Sequence, residues 1–316
     1  MKHLKTLWLN SLSVCFFYLF MAIPSQVMAD EYKYDLTMEK VSQETYVFLG
    51  KNEEITNENG GNISNTTFVV TDDCILVFDT GSSKKYAHKM KEMITSVSTL
   101  PICLVINSHF HPDHFLGNSE FSHAKIVAFE STINQINKHA DTYRDRFYNL
   151  LGSWMTGTEI VIPKQLFNYE FTMGGHDFKI IKYKGHSGAD LVLHDKTTKT
   201  LFVGDLVFNK RAPATAHTKD LTVWIQELSE LATIDFDVLV PGHGPVSSDV
   251  SAINTTKKHL IWLDKLFLES AKNGEDINEV MAIAIPKELQ QNVLSQYELS
   301  RSAVHLYHKY EERMFE

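Results

Sequence analysis

One short stretch, residues 107–114, carries side chains whose types and spacing suit metal binding. Four potential ligands fall within it: His109, His111, Asp113 and His114. The stretch follows an apolar run, residues 102–106, which predicts a buried strand. The backbone leaving a strand is extended, so His109 and His111 would project to the same side. Imidazole and carboxylate ligands together favour a divalent transition metal, zinc above all.

Three more potential ligands stand beside glycine, each after an apolar run later in the chain. They are His186, Asp205 and His243. Glycine permits the sharp turns that such positions need, and buried strands deliver polar residues to the rim in α/β folds. Five histidines and two aspartates in all suit two metal ions about 3.5–4 Å apart, with one carboxylate bridging them.

An eighth candidate, Asp79, directly follows the apolar run 74–78. A carboxylate at the end of a buried run is costly unless it is paired. We therefore interpret Asp79 as a residue that orients a ligand histidine. The alternative is an N-cap for a helix that begins near Ser83.

The periodicity of apolar residues predicts the elements that must position these ligands. The first half of the mature chain alternates strands and helices, which indicates α/β layering. The second half adds two hairpins, a helix and a short strand, followed by helices at about 250–272, 277–285 and 299–315. A polar segment near the start, residues 51–65, predicts either a mobile substrate flap or a solvated hairpin tip.

The first 29 residues have the layout of a secretory signal peptide. Lys2 and Lys5 precede an apolar run at 14–23, and compact residues precede a cleavage site after Ala29. An uncleaved anchor is the alternative, but a bilayer span needs about 20 apolar residues. We expect a mature domain at 30–316 with a core at about 46–246 and C-terminal helices at 250–315. It would be periplasmic or secreted, with no stable membrane anchor.

Charge and cysteine usage narrow the function classes. The formal net charge of −9 without a basic block argues against a nucleic-acid partner and leaves a small-molecule substrate. The mature chain would keep two cysteines, Cys74 and Cys103, each in an apolar run. We predict two buried thiols, because free cysteine behaves as a small core residue. One disulfide is the alternative in an oxidising compartment.

The ligand motifs occur in a distinctive order: His-x-His-x-Asp-His, Gly-His-Ser, Gly-Asp and Pro-Gly-His-Gly. This order resembles the metallo-β-lactamase fold superfamily over roughly 46–246. The resemblance implies an αβ/βα four-layer sandwich with a helical C-terminal tail and two Zn²⁺ ions at one edge. It also implies that Asp205 bridges the ions and that Asp79 matches an early aspartate motif. The implied first-metal ligands are His109, His111 and His186; the implied second-metal ligands are Asp113, His114 and His243.

Within the superfamily, Asp205 stands where true metallo-β-lactamases place cysteine or serine, which argues against β-lactam hydrolysis as the main activity. An aspartate at this position is similar to the pattern of glyoxalase II, lactonases and phosphodiesterases. The leader and segments 157–163 and 204–208 resemble exported zinc metallohydrolases of quinoprotein-relay and sulfur-oxidation systems. The implied reaction is attack by a metal-bridging hydroxide on an ester, thioester or lactone, with Asp113 orienting the nucleophile and accepting its proton.

Other interpretations stay open at this point. A persulfide dioxygenase of the same fold uses a single iron, which imidazole also suits. A β-lactam hydrolase and a non-catalytic binding module are the remaining classes. Three residues after Asp205, namely Lys210, Arg211 and His217, are candidates to meet an anionic substrate group. The alternative is that they are ordinary surface residues, since charged side chains are mostly exposed.

Overall fold

Seven strands form the first sheet, in which spatial order follows chain order. The computed structural model describes residues 32–166 and 168–315, so the predicted signal peptide at 1–29 lies outside the described residues. The strands are β1 (Thr37–Lys40), β2 (Thr45–Leu49), β3 (Thr66–Val70), β4 (Ile75–Phe78), β5 (Ile102–Ile106), β6 (Lys125–Ala128) and β7 (Lys164–Gln165). Pairing is antiparallel from β1 to β4 and parallel from β4 to β7.

Five strands form the second sheet, in the order β12-β11-β10-β9-β8. They are β8 (Glu170–Met173), β9 (His176–Tyr183), β10 (Asp190–Asp195), β11 (Thr200–Phe208) and β12 (Val238–His243). Only the β11–β12 pair is parallel. Both predicted hairpins are present, as β8–β9 and β10–β11.

Strand β11 is longer than the apolar run at 200–203 predicts. Gly204 takes a positive φ of 50°, a conformation that glycine adopts without steric cost. The pairing register with β12 shifts on both sides of Gly204, which is typical of a β-bulge. The glycine therefore bends the strand rather than ending it, and Asp205 projects from within β11.

The two sheets pack face to face across a shared apolar core. Leu76, Phe78 and Ile106 of the first sheet belong to the same buried cluster as Phe178 and Phe202 of the second. The rings of Phe78 and Phe202 lie 5.6 Å apart between centroids. Burying each such side chain stabilises the fold by about 1.5–3 kcal/mol, so this cluster holds the sheets together.

Helices cover the outer faces of the two sheets. They are α1 (Lys84–Val97), α2 (Pro112–Phe115), α3 (Glu130–Leu151), α4 (Leu221–Leu231), α5 (Ser251–Asn273), α6 (Ile277–Met281), α7 (Ser295–Ser302) and α8 (His308–Glu312). Helix α1 packs on the first sheet, where Tyr86 Oη and Thr66 Oγ1 lie 3.0 Å apart. Helices α4 and α5 share a buried cluster with β11. The predicted αβ/βα layering and helical C-terminal region are confirmed.

The C-terminal helices differ in detail from their predicted bounds. The helix predicted at 277–285 ends at Met281, before Pro286, which restricts the residues ahead of it. The last one begins earlier than predicted, at Ser295, and a π-helical turn (Ala303–Tyr307) joins α7 to α8. Within the described ranges, no helix combines the length and apolar character that crossing a bilayer requires.

The two cysteines form a disulfide, so the prediction of two buried thiols is wrong. Cys74 precedes β4 and Cys103 lies in β5, and their Cα atoms are 5.9 Å apart. The two strands are parallel neighbours, with Ile75 opposite Ile102. Pairing of the strands brings the two sulfurs together, which the pattern of either run alone does not indicate.

Candidate metal centre

The turn between β5 and α2 positions the first four candidate ligands. His111 is the N-cap of α2 and has an extended backbone (φ −72°, ψ 143°), with Pro112 following it at the start of the helix. Proline is favoured there because its fixed φ matches the helix and its missing N–H would be unpaired anyway. The chain thus runs extended through His109 and His111 and then turns, which brings Asp113 and His114 back toward them.

The other three candidate ligands come from the second sheet. His186 follows β9, Asp205 lies in the bulge of β11 and His243 ends β12. A Cβ at Gly242 would overlap Asp205 Oδ1, so glycine is needed there for the close approach of β12 to this carboxylate. The seven side chains form two groups, in each of which one ligand atom per residue lies within 4.8 Å of the others: His109, His111, His186 and Asp205; and Asp113, His114 and His243.

Asp205 divides its two oxygens between these groups. Oδ1 lies 3.1 Å from His114 Nε2 and 3.3 Å from His243 Nε2. Oδ2 lies 3.4 Å from His186 Nε2 and 3.7 Å from His109 Nε2. Each oxygen therefore faces a different pair of imidazoles, which is the geometry of a carboxylate that can bridge two cations.

Asp79 fixes the orientation of ligands in both groups. His114 Nδ1 donates to Asp79 Oδ2 at 2.8 Å. The Ser108 hydroxyl donates to the same oxygen at 2.7 Å and lies 2.9 Å from His109 Nδ1. Asp79 has a positive φ of 61°, a strained backbone that is typical of functional positions. Helix α1 is capped instead by Ser83, so Asp79 is not its N-cap.

The segment at 51–65 contacts the candidate ligands directly. His243 Nδ1 donates to the Ile63 carbonyl at 2.7 Å. The Ser64 hydroxyl donates to the Asp113 carbonyl at 2.6 Å. Asn65 Nδ2 donates to the carbonyls of Pro241 and Gly244. Since residues 59–65 are buried, the end of this segment is a wall of the site rather than a solvated hairpin tip.

Asp190 shapes the turn that carries His186. Its carboxylate accepts the backbone N–H groups of His186 and Ser187 and the Ser187 hydroxyl. Burial raises its pKa to about 7, against these hydrogen bonds, which lower it. The sequence analysis did not assign a role to Asp190. A signal was present, because aspartate is favoured in turns and Asp190 follows His186 by four positions in a glycine-containing segment.

Burial keeps three of the candidate ligand imidazoles neutral, so that each has a lone pair for a metal ion. Burial lowers the pKa of His109 and His111, and it lowers the pKa of His186 to about 4. Metal ligation requires neutral imidazole. Burial also opposes protonation of His114, but the carboxylates of Asp205, Asp113 and Asp79 outweigh it and raise the pKa of His114. A buried group of carboxylates thus attracts positive charge at this position.

Several buried polar atoms in the cluster have no hydrogen-bond partner among the described residues. They include His109 Nε2, His114 Nε2 and Asp205 Oδ1, and both imidazole nitrogens face the Asp205 carboxylate. His111 Nδ1 also lies 3.0 Å from His186 Nε2, so these two nitrogens are close enough to ligate the same cation. Unsatisfied buried groups call for an explanation. Divalent cations would satisfy all of these atoms, so the residues present fit a metal centre.

A sequence model of the metallo-beta-lactamase superfamily matches residues 59–243, more than half of the chain. The chain belongs to the metallo-β-lactamase superfamily. This membership confirms the broad resemblance seen in the ligand motifs and supports the prediction of a metal-dependent hydrolase.

Individual relatives of the chain are distant. A linear primary-alkylsulfatase from a Pseudomonas species is 23% identical over an alignment 212 residues long, which covers 55% of this chain and 40% of the relative. The chain thus spans less than half the length of that relative. A metallo-beta-lactamase from Pontibacter korlensis has a TM-score of 0.58 and 22% identity over 72% of this chain and 99% of its own. The DIM-1 metallo-beta-lactamase exposed to ceftazidime has a TM-score of 0.56 and 17% identity, over 73% and 98%. The similarity to these two structures shows that the chain has the same fold.

Arg211 is buried and has partners within the protein. Its Nη1 donates to the Glu53 carbonyl at 2.7 Å, and its Nη2 lies 3.7 Å from Glu298 Oε1. The guanidinium ties the 51–65 segment to α7, so Arg211 is neither an ordinary surface residue nor free to meet an anionic substrate group. Lys210 is exposed, and its carbonyl accepts hydrogen bonds from Asn52 and Val293.

His217 lies against a candidate metal ligand. Its Nδ1 is 2.7 Å from His111 Nε2, and its Nε2 is 3.2 Å from Tyr143 Oη. The tautomer with a proton on His111 Nε2 leaves the Nδ1 lone pair facing the cluster, so His217 selects the orientation of His111. Sequence reasoning missed Tyr143 and Phe110, whose rings pack here. The sequence did contain a signal for Tyr143: it lies four residues after His139, a spacing that places both side chains on one face of a helix.

Proposed function

We propose that the chain is an exported dinuclear zinc hydrolase that acts on an ester, thioester or lactone. The observation that carries the proposal is the division of the Asp205 carboxylate between the two ligand groups. His109, His111 and His186 would hold one ion with Asp205, and Asp113, His114 and His243 would hold the other. The imidazole-rich donor set suits zinc, and the superfamily supports a metal-dependent hydrolase.

The remaining roles belong to the chain's own side chains. Bound divalent cations would supply a Lewis acid that brings the pKa of water toward neutrality and polarises a carbonyl oxygen. Asp113 is more exposed than Asp205, at 8% against 4%, so its carboxylate can orient a water molecule and accept its proton. Asp79 holds His109 and His114 in place from behind. His111 is the least buried of the seven ligands, so substrate would enter on its side.

The proposed cellular location is the periplasm or the exterior of the cell. The leader at 1–29 supports export, and a disulfide between Cys74 and Cys103 fits an oxidising compartment. Within the superfamily, we propose kinship with the exported zinc metallohydrolases of quinoprotein-relay and sulfur-oxidation systems. The basis is the leader together with the motifs around Gly157 and Gly204.

A second candidate reaction is hydrolysis of a sulfate ester. The linear primary-alkylsulfatase described above aligns over 55% of the chain. A sulfate ester would place an anionic group beside the metal centre. The partial coverage of the relative makes this the weaker of the two reactions.

Metal quantification on the purified protein tests the proposal. We expect two zinc ions per chain, whereas one iron per chain with oxygen uptake would favour the persulfide dioxygenase. A screen of thioesters, lactones, phosphodiesters, sulfate esters and cephalosporins then identifies the substrate class. Asp113→Ala should abolish the activity found, and unchanged turnover in that variant would overturn the assigned mechanism. Conversion of cephalosporins alone would favour a β-lactam hydrolase.

A further inference from the structure

A cluster of aromatic and imidazole rings lies immediately outside His111. The His217 ring is 4.7 Å from the His111 ring and 5.2 Å from the Phe110 ring, between centroids. Tyr143 lies 6.2 Å from Phe110 and 5.9 Å from His139. Since His111 is the least buried ligand, these rings stand where substrate would approach.

Two helices direct basic side chains toward this cluster. On α3, positions 139, 143 and 146 are four and three residues apart, which places them on one face of the helix. Arg301 and His305 are likewise four residues apart, at the junction of α7 and the π turn. We define the basic mouth as these residues and their neighbour: His139, Tyr143, Arg146, His217, Arg301 and His305.

Carboxylates do not balance the positive charge of the basic mouth. Among the described residues, none lies within ion-pair distance of Arg146. Glu298 is 3.1 Å from Arg301, but the same carboxylate is also 3.7 Å from Arg211. One acid therefore faces two guanidinium groups. This excess is local, because the chain as a whole is acidic, with a formal net charge of −9.

His217 and His305 lie close to the positive charges of Arg146 and Arg301. His305, Arg301, His139 and Arg146 all lie within electrostatic range of the His217 ring. Burial lowers the pKa of His305, and Arg301 and Arg146 lower it further. The His305 imidazole is therefore neutral at neutral pH and can donate a hydrogen bond, while the two guanidinium groups supply the charge.

We infer that the basic mouth binds an oxyanion group of the substrate, a few bonds from the bond that is hydrolysed. Guanidinium groups bind carboxylates and related oxyanions through paired, charge-assisted hydrogen bonds, and Tyr143 Oη and the His305 imidazole add neutral donors. The inference rests on the proposed hydrolase and selects among its substrates. It favours esters and thioesters with an anionic group on the acyl side over neutral ones of the same length.

A matched pair of esters tests this preference on the zinc-loaded protein. Mono(para-nitrophenyl) glutarate carries a carboxylate, and para-nitrophenyl valerate has the same chain length without it. We expect Arg146→Gln to lower kcat/KM for the glutarate ester about tenfold through KM, since the variant loses a charge-assisted hydrogen bond to the substrate carboxylate. The valerate ester should be unaffected. A para-nitrophenyl ester with a terminal sulfonate separates a general oxyanion site from one specific for carboxylate.

Arg144→Gln is the control, because Arg144 is two residues away on α3 and is paired with Asp141 and Asp145 at 3.1 and 3.0 Å. It should leave both esters unchanged. Equal losses on both esters in Arg146→Gln, or no preference in the parent protein, would overturn the inference. Calorimetric binding of glutarate gives a readout without catalysis. Weaker binding in Arg146→Gln with hydrolysis of neither ester would contradict the proposed function alone, and equal binding would contradict the basic mouth.

Discussion

Asp79 Oδ2 lies 2.8 Å from His114 Nδ1, and both side chains are almost completely buried. The same oxygen accepts the Ser108 hydroxyl, which in turn contacts His109. One carboxylate thus restrains an imidazole in each of the two ligand groups. Such outer contacts fix both the tautomer and the direction of the ligating nitrogen.

We expect Asp79→Asn to weaken zinc binding about 10- to 100-fold, because an amide oxygen is a weaker acceptor for both His114 and the Ser108 hydroxyl. Competition with a chromogenic chelator measures the affinity of each ion. Asp195→Asn is the matched control, since Asp195 and His176 form a buried pair of similar length, 2.7 Å, outside the ligand groups. Equal zinc affinity in the two variants would contradict the role assigned to Asp79.

His217→Ala should weaken binding of the ion held by His111 about tenfold, because His111 Nε2 then loses its partner at 2.7 Å. Cobalt substitution followed by visible spectroscopy reports the change at that ion. Tyr143→Phe removes only the hydroxyl at the far side of His217 and should have a smaller effect. An unchanged cobalt spectrum in His217→Ala would show that His111 is oriented without it.

The disulfide should contribute about 3.6 kcal/mol to the free energy of unfolding, because it closes a loop between positions 29 residues apart. Urea denaturation of Cys74→Ala/Cys103→Ala, compared with the parent protein, measures this contribution. Zinc content and turnover at saturating zinc should stay the same. A matching denaturation midpoint in the two proteins would mean that the crosslink adds nothing to stability.

The His176–Asp195 pair should make stability depend on pH. The hydrogen bond with Asp195 raises the pKa of His176 above 6.5, so its contribution is complete below pH 6.5 and is lost as pH rises through the folded value. Burial opposes ionisation of Asp195, but hydrogen bonds from His176 and Thr198 lower its pKa below 3.8. That contribution is present above pH 3.8 and is lost as pH falls through the folded value.

The pair therefore stabilises the fold most between about pH 4 and 6.5. From pH 6 to 8, the free energy of unfolding should fall more steeply in the parent protein than in Asp195→Asn. Thermal denaturation at a series of pH values in saturating zinc measures the difference. Parallel curves for the two proteins would exclude this pair as the source of the dependence.

The sequence was sufficient to predict the layering, and the seven side chains that it offers as candidate ligands lie together in two groups in the structure. Both inferences depend on local patterns. Apolar runs at 102–106 and 238–240 mark buried strands, and the polar residues at their ends are visible in order. The positions of His186 and Asp205 beside glycine carry the same information. Contacts between distant segments are not encoded locally, and the disulfide between Cys74 and Cys103 was mispredicted for that reason.

Charge was a poor guide to the role of individual residues. Arg211 follows the bridging candidate closely, but the structure buries it against Glu298 and the Glu53 carbonyl. Arg146 lies far from every ligand in sequence and reaches the mouth only because α3 crosses that edge of the fold. Exposure and partners in three dimensions, rather than distance along the chain, separate a structural cation from a binding one.

The candidate ligands are divided between the two sheets. His109, His111, Asp113 and His114 follow β5 of the first sheet, whereas His186, Asp205 and His243 belong to the second. Neither sheet alone offers a complete coordination sphere, so ions could bind tightly only after the sheets have docked. Bound zinc would then hold the two sheets together, and the free energy of unfolding would rise with the concentration of free zinc.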